Sequence, residues 1–163
     1  MSALRKAIAV RPDAVEILSD DHDRVKDLFR AFEKVAVEND FIGKKKIVEE
    51  ISNELSIHTQ IEEDIFYHAA RKSLHVHYLL DEAEFEHASM TEIISQLRDL
   101  DPSDASYDTK VFLLRDYVNH HVIKEEDKIF PKVRRTNMDL QKLGDELIQR
   151  RQELLVEYGL DES

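Results

Sequence analysis

The feature that most constrains this chain is a histidine–glutamate pair placed inside an apolar helical stripe. The stretch is HTQIEEDIFYH, residues 58–68. At about 100° per residue on a helix, Glu62 falls about 40° from His58. The same face carries Ile47, Ile51, Leu55, Ile65 and Ala69. Burying an unpaired carboxylate is costly, so a fold that buries this face must also supply a partner for Glu62.

Apolar residues recur at helical spacing along almost the whole chain of 163 residues, and no strand pattern is present. We predict an all-α fold, an up-down-up-down antiparallel four-helix bundle with an additional C-terminal helix packed outside it. The length suits one domain, residues 1–163. Its bundle covers about 12–135 and the extra helix about 138–158. The four bundle helices are expected at about 12–37, 44–72, 79–100 and 108–135.

Composition removes several classes of function. The chain has no cysteine, which excludes disulfides, thiolate-held zinc, iron–sulfur clusters and thiol catalysis. A formal net charge of -12 argues against nucleic acid as a partner. No apolar run is long enough to span a membrane, and the N-terminal stretch lacks a convincing secretory segment. A cytoplasmic protein is therefore expected.

Residues 58–68 align without a gap with a later segment of the chain, HVIKEEDKIFP, residues 121–131. His58 aligns with His121, and Glu62 aligns with Glu125. The acidic residues that follow each glutamate align as well. The chain therefore carries the same helical segment twice, 63 residues apart.

A second pair of segments also aligns, DHDRVKDLFRAF at 21–32 with EHASMTEIISQL at 86–97. This alignment matches His22 with His87 at an offset of 65 residues. Because the two offsets nearly agree, the chain resembles two copies of one helix pair. Each predicted bundle helix then contributes one histidine to an apolar face.

These apolar faces bring four imidazoles and two carboxylates toward one point. His22 shares its face with Leu18, Val25 and Phe29, His87 with Ala83, Met90 and Ile94, and His121 with Leu114, Tyr117 and Val118. Such a cluster is destabilising when empty, and two divalent or trivalent metal ions bridged by the glutamates would satisfy it. The candidate metal ligands are His22, His58, Glu62, His87, His121 and Glu125.

Simpler interpretations apply to each element alone. A single core histidine is more often hydrogen-bonded packing, and a lone His-x-x-x-Glu pair is often an exposed ion pair. The joint occurrence of all six residues favours metal. A ferritin-like site needs two Glu-x-x-His motifs, and only Glu84 to His87 supplies one. Surface positions are predicted for His68, His75, His77 and His120.

Helix four leaves a second register open, because a five-residue spacing would pair His120 with Glu125 or His121 with Glu126. The ungapped repeat favours His121 with Glu125. Glu126 and its counterpart Glu63 lie one step off the face. There they would be solvated, pair with Lys or Arg, support the ligands from outside, or act as acids on an entry path.

The full pattern, His, His-x-x-x-Glu, His, His-x-x-x-Glu, resembles the hemerythrin-like (HHE cation-binding) family over about residues 12–135. The resemblance implies a four-helix bundle around a non-haem di-iron centre, with an oxo or hydroxo bridge and two bridging carboxylates. It also implies that the six candidate residues are the iron ligands. The same donor set is compatible with manganese or zinc.

One position departs from the oxygen-carrying hemerythrins, which have a fifth histidine one turn after the helix-three ligand. Thr91 stands there, which leaves two histidines and an open position for each metal. This favours a stress-defence protein that reacts with hydrogen peroxide, oxygen or nitric oxide. Two alternatives stay open: a module that binds, stores or senses oxygen or iron without turnover, and a scaffold with a vestigial site. Tyr117, one turn before His121, is either a hydrogen-bond donor to bound oxygen species or a packed core tyrosine.

Overall fold

The computed structural model describes residues 11–75 and 77–161, and within them it contains five helices and no strand. Three helices are uninterrupted: α1 (Ala14–Val37), α3 (His77–Arg98) and α5 (Leu140–Glu157). The other two each contain a π-helical segment. α2 comprises Phe41–Ile61, the π segment Glu62–Tyr67 and His68–Ser73, and α4 comprises Tyr107–Lys124, the π segment Glu125–Ile129 and Phe130–Arg134.

Ion pairs near the helix ends show the directions of the bundle helices. Asp13, the N-cap of α1, contacts Arg134 at the end of α4 at 3.0 Å, so these helices run in opposite directions. Lys44 and Asp108 join the beginnings of α2 and α4 at 3.0 Å, so these helices run in the same direction. The predicted antiparallel four-helix bundle is therefore confirmed.

The ends of two helices are set by residues in the left-handed conformation. Asn39 (φ 52°) follows α1, and the side chain of Asp40 then accepts the Gly43 amide at 3.0 Å to begin α2. The turn between these helices is therefore shorter than the predicted stretch 38–43. At the other end of the chain, Gly159 (φ 70°) terminates α5, as a helix-stopping glycine does.

The apolar core forms two clusters, one toward each end of the bundle. The first includes Leu18, Ile61, Phe66, Leu80, Ile129 and Leu147. The second includes Val25, Phe29, Leu55, Met90, Leu114 and Val118. Helical periodicity in the sequence predicts ten core residues on the histidine-bearing faces. Nine of them are buried: Leu18, Val25, Phe29, Ile51, Leu55, Ile94, Leu97, Leu114 and Val118.

The tenth, Ile65, is only half-buried, and the π segment of α2 explains why. Beyond Glu62 the buried positions are Phe66, Tyr67 and Ala70, one residue later than the predicted Ile65 and Ala69. A π turn closes its backbone hydrogen bond over five residues instead of four, so it delays the inward face by one residue. Helical periodicity could not have predicted this change, because it assumes a constant turn.

The extra helix α5 packs outside the bundle against α1 and α2, as predicted. Leu143, Leu147 and Leu154 are its buried apolar residues. Gly144 allows the closest approach, since a Cβ at this position would lie 2.9 Å from the Pro12 carbonyl oxygen. Backbone atoms therefore meet at this contact, and they have little freedom to move apart.

None of the described helices combines the length and apolarity needed to cross a membrane. The expectation about a secretory segment concerns residues 1–13, and the first ten of these lie outside the described residues. The predicted domain limits, 1 and 163, also lie outside them.

Gly144→Val should destabilise the protein, because the new side chain must displace backbone at Pro12 and Asp13. Overpacking of this kind costs about 1–3 kcal/mol, and each kcal/mol lowers Tm by about 2–4 °C in a chain of this size. The control is Gln149→Ala, at an exposed position of the same helix, which should leave Tm almost unchanged. Equal Tm values for the two variants would contradict the close contact.

Candidate metal centre

The six candidate ligands meet at mid-length of the bundle, between the two apolar clusters. None of them is more than 4% exposed. They are His22 on α1, His58 and Glu62 on α2, His87 on α3, and His121 and Glu125 on α4. The register favoured by the repeat is the one that the structure adopts, because the side chain of His120 is 75% exposed.

Each glutamate lies between two histidines from different helices. Glu62 Oε1 is 3.0 Å from His58 Nε2 on its own helix and 3.1 Å from His87 Nε2 on α3. Glu125 Oε1 repeats this arrangement, at 3.0 Å from His121 Nε2 and 3.2 Å from His22 Nε2. The two carboxylates are therefore placed as bridges across the bundle.

The donor atoms fall into two groups that share Glu62. His22, His58, Glu62 and Glu125 form one group, in which the donor atoms all lie within 4.8 Å of one another. Glu62, His87 and His121 form the other. The internal repeat of the sequence thus appears in space as two similar half-sites, which we call the α1–α2 half and the α3–α4 half.

The outward-facing nitrogens of two histidines contact acids that the sequence analysis did not identify. Asp21 Oδ2 is 2.8 Å from His58 Nδ1, and Glu86 Oε1 is 2.9 Å from His121 Nδ1. Each acid immediately precedes a candidate ligand, and the two acids align in the second repeat. That alignment was the available signal. A carboxylate at this nitrogen fixes the tautomer and orientation of the ring.

The acids that directly follow Glu62 and Glu125 in the sequence contact the other two histidine rings. Glu126 Oε1 is 2.9 Å from His22 Nδ1, and Glu63 Oε1 is 3.4 Å from His87 Nδ1. Of the roles left open for these residues, support of the histidines from outside fits the structure. All four imidazoles thus have a carboxylate beside Nδ1 while Nε2 turns inward.

Tyr67 is the buried tyrosine at the centre. Its hydroxyl donates to Glu125 Oε2 at 2.9 Å and lies 3.5 Å from His87 Nε2. Burial, together with the nearby Glu125 and Glu62 carboxylates, raises the pKa of Tyr67 well above its ordinary value. The phenol therefore remains a protonated donor at neutral pH.

Both roles predicted for Tyr117, hydrogen-bond donor at the centre and packed core residue, are wrong, because this residue is 49% exposed. It lies about 60° around the helix from Leu114. The inward direction of α4 is set by Leu114, Val118 and Val122, all of which are buried. Tyr117 therefore falls at the solvent edge of the face. Tyr67 was missed because it comes inward only through the π turn.

In the metal-free centre, the carboxylates stabilise protonated imidazoles. Burial alone would lower the pKa of His58, but Glu62 and Asp21 outweigh it and raise that pKa to about 10. Burial would also lower the pKa of His121, but the Glu125 carboxylate outweighs burial. The pKa of His121 is therefore well above its usual value. The pKa of Glu62 is held well below its usual value, although burial opposes this, because His58 is adjacent.

Several inward-facing ligand atoms form no hydrogen bond, because the contacts of 3.0–3.2 Å between Nε2 and carboxylate atoms lack hydrogen-bond geometry. They are His22 Nε2, His58 Nε2, both carboxylate oxygens of Glu62 and Glu125 Oε1. Buried polar atoms without partners are rare and costly. All of these atoms point to the same region, and imidazole with carboxylate is a donor set for iron, manganese or zinc. This buried His/Glu cluster is therefore able to hold metal.

The remaining histidines are on the surface, as predicted. His68, His75, His77 and His120 are all exposed. Within the described residues, Thr91 also stays outside the centre. It is exposed, and its hydroxyl donates to the carbonyl of His87 at 3.0 Å.

Comparison with known proteins agrees with the geometry. The sequence profile of the hemerythrin HHE cation-binding domain matches residues 13–133. The chain belongs to this family. The match spans the four bundle helices, from the N-cap of α1 to the last turn of α4, and it confirms the resemblance noted in the sequence.

A solved structure extends this relationship. The crystal structure of a hemerythrin HHE cation-binding domain-containing protein from Mycobacterium kansasii superposes with a TM-score of 0.72 at 25% sequence identity. The alignment covers 90% of this chain and 92% of the other. A search of curated protein sequences gave no significant match. The fold, with its extra C-terminal helix, is therefore that of a hemerythrin-like bundle.

The metal-free protein should become less stable as pH rises from 6.5 to 9. A histidine whose pKa is raised from 6.5 to about 10 on folding stabilises the fold fully below pH 6.5. It loses this contribution as the pH approaches 10. Thermal unfolding of chelator-treated protein should show Tm falling across this interval.

In metal-free His58→Asn, the decrease in Tm between pH 6.5 and 9 should be smaller than in the wild type. His68→Asn, at an exposed position, should show the same decrease in Tm as the wild type. A Tm for the metal-free protein that stays level or rises between pH 6.5 and 9 would count against the protonated centre.

Proposed function

We propose that this chain is a non-haem di-iron protein that reacts with hydrogen peroxide, oxygen or nitric oxide in stress defence. The supporting observation is the ring of inward Nε2 atoms beside a small apolar cavity, with no fifth histidine at the centre among the described residues. Iron is proposed over manganese or zinc because the family resemblance implies it, while the imidazole and carboxylate donors suit all three. The six ligands in this proposal are His22, His58, Glu62, His87, His121 and Glu125.

The side of the centre that faces the second apolar cluster is the proposed place of reaction. A cavity of about 10 Å³ borders all four histidine rings there, which is room for about one water-sized molecule. Its apolar walls are formed by Val25, Leu55, Met90, Val118 and Val122. These dimensions suit oxygen, nitric oxide or peroxide and disfavour larger organic substrates.

When bound, a pair of irons supplies two electrons, enough to reduce one hydrogen peroxide with two protons to two waters. A second peroxide can return two electrons and leave as oxygen with loss of two protons. In this proposal the fold contributes a dry pocket and fixed ligand orientations. Tyr67 belongs to the first apolar cluster and does not line the cavity. It contributes a protonated hydroxyl at the centre, held by Glu125 Oε2 near His87.

The apolar lining also favours one alternative, an oxygen- or iron-binding module without turnover. Apart from the histidines, the walls of the cavity next to the rings consist mainly of apolar side chains, and an apolar wall slows the proton delivery on which peroxide reduction depends. Such a module would store or sense its ligand. A cytoplasmic location, with neither nucleic acid nor membrane as a partner, belongs to both proposals.

His121→Ala should lower the iron content from two per chain to about one, because it removes an inward ligand of the α3–α4 half. The matched control is the adjacent His120→Ala, whose side chain is mostly exposed, and it should retain two. Elemental analysis of the reconstituted proteins measures both. Loss of iron in His120→Ala with full content in His121→Ala would show that this ligand assignment is wrong.

The functional proposal predicts that the di-ferrous protein is oxidised rapidly by oxygen and that the di-ferric protein turns over excess peroxide. Optical spectra follow the oxidation of the di-ferrous protein, and oxygen release follows the turnover of peroxide. A stable oxygenated form that releases oxygen under vacuum, with no peroxide turnover, would support the module without turnover instead.

Tyr67→Phe should slow peroxide turnover about tenfold, the effect expected from losing one hydrogen bond of about 1.4 kcal/mol. Tyr117→Phe removes a hydroxyl from a half-exposed position on α4 and should leave the rate unchanged. Equal rates in the two variants would remove Tyr67 from the reaction.

A further inference from the structure

The helix outside the bundle reaches the metal centre through one arginine. Arg151 Nη2 on α5 lies 2.5 Å from Asp21 Oδ2. The same oxygen is 2.8 Å from His58 Nδ1. Arg24 pairs with the other oxygen of Asp21. A continuous chain of polar contacts therefore runs from α5 through Asp21 to an inward histidine.

The environment of Asp21 makes this contact unlike an ordinary surface ion pair. Asp21 is only 1% exposed, so its carboxylate depends on protein partners for its charge. His58 and Arg151 contact Oδ2 of this carboxylate, and Arg24 contacts Oδ1. With partners on both oxygens, the carboxylate is fixed in orientation, and so is the ring that it contacts.

The α3–α4 half is anchored differently. Glu86, the counterpart of Asp21 in the repeat, has a side chain that is 19% exposed, and it pairs with Lys124 of α4 at 2.6 Å. Lys124 lies within the bundle itself. The two halves have matching histidines and glutamates, but among the described residues only the α1–α2 half is tied to α5 in this way.

Docking of α5 does not depend on this arginine alone. Leu143, Leu147 and Leu154 bury the apolar face of the helix, and the adjacent Arg150 contacts Asp64 on α2 at 3.4 Å. Arg151 is thus one of several attachments, and it is the attachment that leads to a candidate ligand.

We propose that Arg151 is a positioning residue for the α1–α2 half of the centre. It holds Asp21, and Asp21 directs His58 Nε2 toward the metal. This inference rests on the proposed two-metal centre. It makes α5 part of the metal site, so that loss of the arginine weakens one half and leaves the other intact.

The test compares Arg151→Met with Arg150→Met. Both substitutions remove a guanidinium from α5 and keep an unbranched side chain. Of the two arginines, only Arg151 contacts Asp21. Metal-free protein is titrated anaerobically with ferrous iron. Arg151→Met should weaken one of the two binding events about tenfold, the lower end of the effect of losing a direct outer partner of a ligand, because Arg151 acts on His58 through Asp21. Arg150→Met should bind like the wild type, and Arg151→Lys should recover part of the loss.

Two backgrounds locate the weakened site. In His121→Ala, the remaining iron is held by the α1–α2 half, and adding Arg151→Met should weaken it about tenfold. In His58→Ala, the remaining iron is held by the α3–α4 half, and the same change should have no effect. Equal weakening in both backgrounds would indicate a general loosening of the bundle and overturn the proposal.

The outcomes separate this inference from the function on which it rests. A wild-type protein that binds fewer than two irons would remove the di-iron proposal itself. A wild type that binds two irons, together with an Arg151→Met variant indistinguishable from Arg150→Met, would overturn only the positioning role. Circular dichroism spectra and Tm values, measured on each variant, show that the compared proteins are folded.

Discussion

The burial of two carboxylates at mid-bundle is the constraint on which the rest of this structure depends. Glu62 and Glu125 are inaccessible to solvent, and a charge in such a place requires close partners. The partners are four imidazoles, one from each bundle helix. The Nδ1 atom of each imidazole lies beside a further acidic side chain. The centre is therefore a two-layered shell, and its inner layer leaves donor atoms that a metal can satisfy.

The interruption of two helices at this shell follows from the same constraint. Each π segment begins at a bridging glutamate, where the turn widens and the inward face moves by one residue. The widening brings Tyr67 and Phe130 inward and places Glu63 and Glu126 beside the rings of neighbouring helices. π-Helical turns are frequent at functional sites, and in this chain they supply side chains to both layers of the shell.

Much of this arrangement was predictable from sequence, because it depends on local periodicity and internal repetition. The inward faces of His22, His58, His87 and His121 follow from helical spacing, and the His121–Glu125 register follows from the repeat. Periodicity failed where the turn changes, so the inward position of Tyr67 was missed. The contact between Arg151 and Asp21 joins residues 130 positions apart, and no local pattern reports such a contact.

The paired layers also have an electrostatic consequence. Two inner glutamates and four outer acids surround the four rings, and three cations, Arg24, Arg151 and Lys124, pair with two of the outer acids. Two ferric ions would carry six positive charges, and two ferrous ions only four. Because the outer environment tunes the redox potential of a metal, an excess of acids over cations around the proposed irons would favour the ferric pair and lower its reduction potential. A di-iron centre in this shell would give up electrons readily, so the acids that orient its ligands would also make it a reductant.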